Sequence, residues 1–205
     1  EANYKKAIKL KSNYAEAYYN LGIAQRKHGK LEESVSSYKK AIEYKFDYAE
    51  AYYNLGISFK ELGKLEDSET NYKKAIELKP NYPDVQNSLS HNLLLKKKFI
   101  KAYELYEWRW KVDKKPGKKL ISKKPLWKGE DNLKIFVWEE QGIGDQIMFF
   151  SNISELKSKS KNIIIQCDKR LIPLFKRTLS KDILYESDRM LIKEKDYDCH
   201  IPMGT

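Results

Sequence analysis

Residues 13–46 read NYAEAYYNLGIAQRKHGKLEESVSSYKKAIEYKF, and residues 47–80 read DYAEAYYNLGISFKELGKLEDSETNYKKAIELKP. The two stretches are identical at 22 of 34 positions. Within each stretch, small and apolar residues recur with the 3.6-residue spacing of one helix face, as they do around Leu21. The pattern breaks at Gly29 and a second stripe begins at Leu31. Each unit is therefore predicted to be two helices joined by a tight turn.

The pattern continues on both sides of these two full units. Residues 1–12 match only a second helix, and residues 81–114 form a degenerate third unit that keeps Ala102 and Tyr106. The 34-residue period and the alternation of small and large residues resemble the tetratricopeptide repeat. This resemblance implies an all-α solenoid over residues 1–114. Terminal units of a solenoid are atypical because one of their faces does not meet another repeat.

The resemblance also implies a groove lined by the first helix of each unit. In the related O-linked N-acetylglucosamine transferases, a ladder of asparagines in that groove grips an extended peptide backbone. Asn20 and Asn54 occupy the equivalent positions here, and Ser88 interrupts the ladder. Tyr19 and Tyr53 are further candidates for contact with a protein or peptide partner. The alternative is that these asparagines and tyrosines serve only the packing of the helices.

Positive charge is concentrated in one part of the chain. The 205 residues carry a net charge of +11, and the stretch from Lys96 to Lys128 holds 13 basic residues against three acidic ones. This stretch overlaps a basic linker predicted over residues 115–131. It is interpreted either as a solvated connection or as a site for an anionic ligand, such as a lipid head group or a phosphate-bearing substrate. It lacks the aromatic platform or motif that would predict a nucleic-acid partner.

Cysteine content and hydropathy narrow the protein class further. The two cysteines, Cys167 and Cys199, do not form a disulfide framework, and their spacing predicts no metal site. No apolar run approaches the roughly 20 residues that a transmembrane helix needs. The composition therefore predicts a protein of a reducing compartment, and we expect it in the cytoplasm.

The 34-residue period stops after Pro125, and residues 132–205 show a different pattern. Apolar, β-branched runs at 134–139 and 162–166 predict buried strands, and weaker strands are expected at 183–185 and 197–200. Helices are predicted over 145–156 and 169–179. The alternation of strands and helices predicts a partial parallel sheet of Rossmann type.

The turn after the first predicted strand carries two glycines, Gly142 and Gly144, followed by Asp145. Glycines in such a turn let a ligand approach the backbone, and the N-terminus of the next helix offers free N–H groups. The third glycine of a dinucleotide fingerprint is replaced by Ile147. The motif therefore predicts a substrate-binding turn without predicting a nicotinamide or flavin cofactor.

Four motifs in the second half, at residues 106–110, 125–129, 139–145 and 198–202, together resemble a known enzyme class. Their order and spacing are similar to those of proteins in which tetratricopeptide repeats are fused to a heptosyltransferase-like domain of glycosyltransferase family 9. The O-linked N-acetylglucosamine transferases share this layout more distantly. The resemblance implies that residues 132–205 are the first part of the N-terminal domain of a GT-B glycosyltransferase, in a chain truncated at both ends.

The resemblance assigns chemistry to two residues. Asp145 would be the general base that deprotonates the acceptor hydroxyl, since a carboxylate at a helix start is held ionised. The alternative is an N-cap that accepts a hydrogen bond from the N–H of Ile147 or Met148. His200, at the end of a predicted strand, would be a substrate-binding residue, or else a buried structural histidine.

The expected function follows from both halves. The full-length protein would transfer a sugar from a nucleotide-sugar donor to an acceptor, with the solenoid binding a protein or the acceptor. The donor binds mainly to the second domain of GT-B enzymes, so this stretch alone is expected to be inactive and to hold no cofactor. The alternative is a non-catalytic scaffold for protein–protein interaction.

Overall fold

The computed structural model describes residues 1–112, 119–140, 142–160, 162–179 and 183–204. The chain divides into two compact units, Glu1–Asp113 and Lys114–Thr205. The first unit is helical, and the second contains a small parallel sheet with helices. Each unit is described by itself.

The helical unit repeats one motif, in which a first helix and a second helix are joined by a tight turn. Its helices are α1 (Ala2–Leu10), α2 (Ala15–Lys27), α3 (Leu31–Tyr44), α4 (Ala49–Glu61), α5 (Leu65–Leu78), α6 (Pro83–Leu95) and α7 (Phe99–Tyr106). A 3-10 turn over Glu107–Lys111 follows α7. The first helices are α2, α4 and α6, and the second helices are α3, α5 and α7, with α1 as the predicted partial unit. The all-helical solenoid predicted from the period is confirmed.

Glycine is needed at two kinds of position in this unit. Gly29 and Gly63, in the turns between paired helices, have φ of 74°. Gly22 and Gly56 lie inside first helices, where a Cβ atom would approach the rings of Tyr38 and Tyr72 to 2.7 and 2.6 Å. The paired helices can therefore approach closely only because these residues lack a side chain.

The second unit contains four described strands in the order β3-β2-β1-β4, with all pairings parallel. The strands are β1 (Ile135–Trp138), β2 (Ile163–Gln166), β3 (Leu184–Glu186) and β4 (Cys199–Pro202). Helices α8 (Ile143–Phe150) and α9 (Ile153–Lys159) connect β1 to β2, and α10 (Ile172–Thr178) connects β2 to β3. The chain then crosses from one edge of the sheet to the other side of β1 through 3-10 turns at Arg189–Leu191 and Glu194–Asp196.

The single helix predicted over residues 145–156 is wrong, because the structure has two shorter helices there. The first ends at Phe150, whose ring stacks on Phe175 with centroids 3.4 Å apart. Ser151 and Asn152 then form a turn, and the hydroxyl of Ser151 donates to the carbonyl oxygen of Met148. Polar residues that bond to nearby backbone favour such a break.

The two faces of the sheet are buried by different groups. Alternate residues such as Ile135 and Val137 pack with the side chains of α8, α9 and α10 in one apolar core. On the opposite face, Phe136 contacts Tyr197 with ring centroids 5.1 Å apart. Trp127, from the segment predicted to be a linker, also packs against the apolar core.

Within the described parts of the chain, no helix has the length and apolar character that a membrane span requires. Over the same residues, no group of three or more His, Cys, Asp or Glu side chains could hold a metal ion.

Candidate functional site

Polar side chains link neighbouring first helices in a repeating way. The side-chain amide of Asn54 on α4 donates to the phenol oxygen of Tyr19 on α2, with nitrogen and oxygen 3.2 Å apart. One repeat later, the hydroxyls of Tyr53 on α4 and Ser88 on α6 are also 3.2 Å apart. We call the exposed side of α2, α4 and α6 around these four residues, together with Asn20, the first-helix surface. Ser88 was predicted to interrupt the ladder, but here it serves the same tyrosine contact as Asn54.

The two asparagines, Asn54 and Asn20, differ in how many of their side-chain N–H groups donate a hydrogen bond. Asn54 also donates to the backbone carbonyl of Glu50 at 2.9 Å, so both of its N–H groups are used. Asn20 donates only to the backbone carbonyl of Glu16, at 2.9 Å. Both asparagines are half-buried, and both keep a side-chain carbonyl oxygen that can accept a hydrogen bond from a ligand N–H.

Tyrosines form an aromatic layer beside these amides. The ring of Tyr19 lies 4.9 Å from that of Tyr48, and the ring of Tyr53 lies 5.4 Å from that of Tyr82, centroid to centroid. Burial raises the pKa of Tyr48 to about 12 and also raises the pKa of Tyr19 and Tyr53. The phenols are therefore neutral hydrogen-bonding groups at physiological pH. Tyr19 and Tyr53 contribute both to helix packing and to the surface.

Charges are segregated along the first-helix surface. The first turns of α2, α4 and α6 carry Glu16, Glu50 and Asp84. The last turns of α2 and α4 carry basic residues instead, and Arg26 forms an ion pair with Glu61 of the next first helix at 3.1 Å. Because corresponding helices run in the same direction, Glu16, Glu50 and Asp84 lie toward one edge of the surface, where Lys79 pairs with Glu50 at 3.3 Å, and the basic residues at the ends of α2 and α4 lie toward the other.

In the second unit, the turn after β1 leads directly into α8. Gly142 is the N-cap residue, and Asp145 is the third residue of the helix. The interpretation of Asp145 as an N-cap is therefore wrong, since the helix begins two residues earlier. Gly142 and Gly144 are exposed and Asp145 is half-buried, so all three can be reached from solvent.

A hydrogen-bonded network that sequence reasoning missed holds this turn in place. Gln146, buried in the first turn of α8, donates to a carboxylate oxygen of Glu139 at 3.0 Å and accepts from the backbone N–H of Asp168 at 2.9 Å. Arg189, from the crossover after β3, donates to the backbone carbonyl of Glu139 at 2.8 Å and to Gln166 at 2.9 Å. The one feature of the sequence that could have indicated this network is Gln146, a polar residue at an otherwise apolar position of the helix.

His200 does not lie at an open strand end. It is the second residue of β4, it is 5% exposed, and its Nδ1 accepts a hydrogen bond from the indole Nε1 of Trp138 at 3.2 Å. Burial lowers the pKa of the His200 imidazole, so the neutral form is favoured. The prediction of a substrate contact gives way to a structural role, because the side chain is enclosed in the sheet.

Several basic residues of the stretch from Lys96 to Lys128 already have partners in the helical unit. Lys96 pairs with Glu69 at 2.7 Å, and Arg109 is buried with a 2.8 Å ion pair to Glu107. Lys111 lies 3.9 Å from the ring centroid of Trp108. Residues 113–118, which include the start of the linker predicted over residues 115–131, lie outside the described residues.

Comparisons with known proteins identify the repeats. Profiles described as "TPR repeat" match residues 2–29 and 24–63, and one described as "Tetratricopeptide repeat" matches residues 49–82. Residues 2–82 therefore carry tetratricopeptide repeats. The matches give no support to a fused glycosyltransferase domain, and a search of curated protein sequences found no match.

Several solved structures are similar to this chain. "Crystal structure of MamA" is 28% identical with a TM-score of 0.50, covering 51% of this chain and 61% of that chain. "Crystal structure of MamA protein" is 28% identical with a TM-score of 0.46, over 58% and 67% of the two chains. "Second TPR of Spaghetti (RPAP3) bound to HSP90 peptide SRMEEVD" is 21% identical with a TM-score of 0.45, over 46% and 87%. The present chain thus spans about three fifths of the length of the first of these structures.

Proposed function

We propose that this protein is an interaction scaffold whose first-helix surface binds an extended segment of a partner protein. The observation that carries this proposal is the repeated arrangement of Asn20 and Asn54, each presenting a carbonyl oxygen beside a half-buried tyrosine. A backbone N–H of an extended peptide is a suitable donor for such an oxygen.

The spacing of the repeats suits an extended chain. Packed helices lie about 8–10 Å apart, and an extended chain advances about 3.3 Å per residue, so one repeat corresponds to about three peptide residues. Asn20 and Asn54 would then accept from backbone N–H groups about three residues apart. An asparagine ladder holds the backbone, and recognition of sequence is left to the flanking side chains.

The charges at the two edges suggest what those side chains are. Glu16 and Asp84 would attract lysine or arginine on one side of the bound segment, whereas Glu50 is already paired with Lys79 at 3.3 Å. Lys27 and Lys60, at the opposite ends of the first helices, would attract aspartate or glutamate on the other side. The expected ligand is therefore a segment of mixed charge.

A matched pair of asparagine variants tests this proposal. Asn20 and Asn71 each donate to a backbone carbonyl four residues earlier, at 2.9 and 2.8 Å, but Asn71 lies on a second helix. Peptides are first selected for binding to the 205-residue chain from a random displayed library. Their affinities for both variants are then measured by fluorescence anisotropy. Asn20→Ala should weaken binding at least fivefold, and Asn71→Ala should leave it unchanged. Equal affinities for the two variants would refute the proposal.

A second proposal concerns a longer protein that contains this chain. We propose glycosyl transfer there, with Asp145 as the base and Gly142 and Gly144 at the substrate. It is supported by the order β3-β2-β1-β4, because ligands of such sheets bind beyond the strand ends at the point where the order reverses, next to β1. The proposal does not include His200, which is 5% exposed.

Thermal-shift titration with uridine, guanosine, adenosine and cytidine diphosphates tests the second proposal in the longer protein. One nucleotide should raise the melting temperature, and Asp145→Asn should keep that shift while losing sugar transfer. The 205-residue chain alone should show no transfer. A longer protein that binds none of these nucleotides would leave only the scaffold.

A further inference from the structure

Helix α7, which is the second helix of the third unit, exposes a cluster of large apolar side chains. Phe99 is 53% exposed, Ile100 82% and Tyr103 43%. The 3-10 turn that follows α7 contacts α6, and it leaves these three side chains uncovered. We call Phe99, Ile100 and Tyr103 the α7 patch.

The internal repeats show that this patch is a departure from the pattern. Position 100 corresponds to Glu32 and Glu66 in the first two units, and both of these glutamates are exposed in the first turn of their helices. An acidic side chain there is favoured by the helix dipole. In α7 the position holds Ile100, and the first turn has no acidic residue. The third unit thus replaces a solvated, dipole-compatible residue with an exposed apolar one.

The packing of the first two units indicates which kind of element covers a second helix. Helix α3 is packed by α4, and α5 is packed by α6, so each of these second helices is covered by a following first helix. Leu65, the counterpart of Phe99, is half-buried under this packing, whereas Glu66, the counterpart of Ile100, stays exposed. Within the described residues of the helical unit, no further first helix packs on α7. A helix is therefore the occupant whose shape the neighbouring repeats define.

Charge around the patch favours an acidic occupant. A cavity of about 710 Å³ lies beside α7, between Leu89 and Leu93 of α6 and the exposed Phe99 and Ile100. Its rim carries four lysines against two glutamates, in the order Glu69, Lys73, Lys97, Lys98, Lys101 and Glu104. Glu69 is engaged by Lys73 and Lys98 at 2.7 and 3.4 Å. Lys97 and Lys101 form no ion pair among the residues described, so their charge is available to a partner.

From these observations we infer that the α7 patch binds an amphipathic α-helix of a partner protein, with an apolar stripe flanked by acidic residues. This surface is separate from the first-helix surface, so the protein would hold two partner segments at once. Burial of the exposed Phe99 and Tyr103 side chains, whose counterparts Leu65 and Glu69 are covered in the second unit, supplies the binding energy. The lysine rim selects acidic over basic helices.

Two synthetic 14-residue helical peptides with the same leucine stripe test the inference. One peptide has glutamate flanks and the other has lysine flanks, and both are titrated against the full 205-residue chain by fluorescence anisotropy. The acidic peptide should bind at least tenfold more tightly than the basic one. Equal affinity of the two peptides, or binding of neither, would overturn the inference.

Charge-insertion variants locate the binding. Phe99→Glu places a charge at the position whose counterpart, Leu65, is half-buried beneath the following first helix, and it should weaken binding of the acidic peptide at least tenfold. Leu10→Glu, a matched change at a side chain 83% exposed on α1, should have no effect. Both side chains are exposed, so circular dichroism should show unchanged helix content for both. Equal loss in the two variants, or no loss in Phe99→Glu, would contradict the inference. Loss in Asn20→Ala would place the peptide on the first-helix surface and would likewise overturn it.

Discussion

Asn54 donates a hydrogen bond of 3.2 Å to the phenol oxygen of Tyr19, which lies 35 residues earlier on the neighbouring first helix. Tyr53 and Ser88 repeat this contact one unit later. The same asparagine position is the one that the family resemblance assigns to peptide binding. One side chain therefore serves two purposes, because its N–H groups join the helices and its carbonyl oxygen remains for a ligand.

This division of roles predicts different stabilities for the two asparagine variants. Asn54→Ala removes the partner of the Tyr19 hydroxyl and should lower the free energy of unfolding by about 1 kcal/mol. Asn20→Ala removes only a bond within its own exposed helix turn and should cost less than about 0.5 kcal/mol. Urea unfolding followed by far-UV circular dichroism measures both. If the two variants unfold alike, the bond between the helices contributes nothing.

The helix–helix contact at Gly56 should not tolerate a methyl group. A Cβ atom there would lie 2.6 Å from the ring of Tyr72, which is 1% exposed. The overpacking cost of roughly 1–3 kcal/mol should exceed the roughly 1 kcal/mol that alanine gains over glycine in a helix. Gly144→Ala in α8 meets no atom within 4 Å, so it should instead stabilise the chain slightly. Relative to the unmodified chain, the melting temperature should fall in Gly56→Ala and rise in Gly144→Ala.

Lys97 holds a backbone conformation that suits glycine. Its φ is 58°, and the corresponding residues of the first two units are Gly29 and Gly63, with φ of 74°. Lys97→Gly should therefore stabilise the protein by about 1 kcal/mol. Gly63→Ala should destabilise it by a similar amount through the backbone alone, since no atom lies within 4 Å of the added Cβ. Denaturant midpoints measure both, and a destabilised Lys97→Gly variant would disprove the strain argument.

The Glu69 carboxylate should make stability depend on pH. Burial by itself would raise its pKa, but hydrogen bonds and charge from Lys73 and Lys96 outweigh this and lower the pKa to about 2. A lowered pKa in the folded state means that the stabilisation is present above about pH 4.5 and is lost as the pH falls toward 2.

Glu69→Gln should therefore cost on the order of 1–3 kcal/mol at pH 7, and this difference should shrink steadily on acidification. Glu66→Gln is the control, because Glu66 also pairs with Lys96, at 3.2 Å, but its side chain is 82% exposed. That variant should leave the free energy of unfolding nearly unchanged, because solvent screens the exposed pair. A Glu69→Gln difference that is independent of pH would show that the ion pairs do not stabilise the fold.

His200 should add a pH dependence at a higher range in the second unit. Burial lowers its pKa in the folded state, so its contribution is complete above the unfolded value of about 6.5 and falls as the pH drops below it. His200→Gln keeps an acceptor for the indole N–H of Trp138 and removes the titration. Hydrogen exchange of the β4 amides between pH 7 and 5 should show the loss only in the unmodified chain. A parallel loss in the variant would assign the effect to other groups.

Much of the helical unit could be predicted from sequence because its chemistry is local and repeated. The spacing around Leu21 defined a first helix, and the glycine at 29 defined the turn that follows it. The position of Asp145 could not be predicted with the same accuracy. The structure starts α8 at Ile143, and a helix boundary depends on which backbone groups find partners, a property that a single sequence does not display.

The candidate sites were predicted only in part, for a related reason. The family resemblance predicts Asn20 and Asn54, with Tyr19 and Tyr53 as neighbouring candidates, but it does not predict that Ser88 bonds to Tyr53. Gln146 and Arg189 lie far apart in sequence and meet at the end of β1 only through the crossover of the sheet. Such contacts depend on long-range topology, which has no counterpart in local spacing.

The amino-acid sequence by itself determined the repeat, the paired helices and the change to a strand-and-helix pattern after residue 125, because periodic burial and turn chemistry act over a few neighbouring residues. Only the tertiary structure decided that His200 is enclosed beside Trp138 and that Ile100 is exposed on α7. The physical reason is that burial depends on which distant elements pack together. The same apolar or polar residue can therefore end in a core or on a surface.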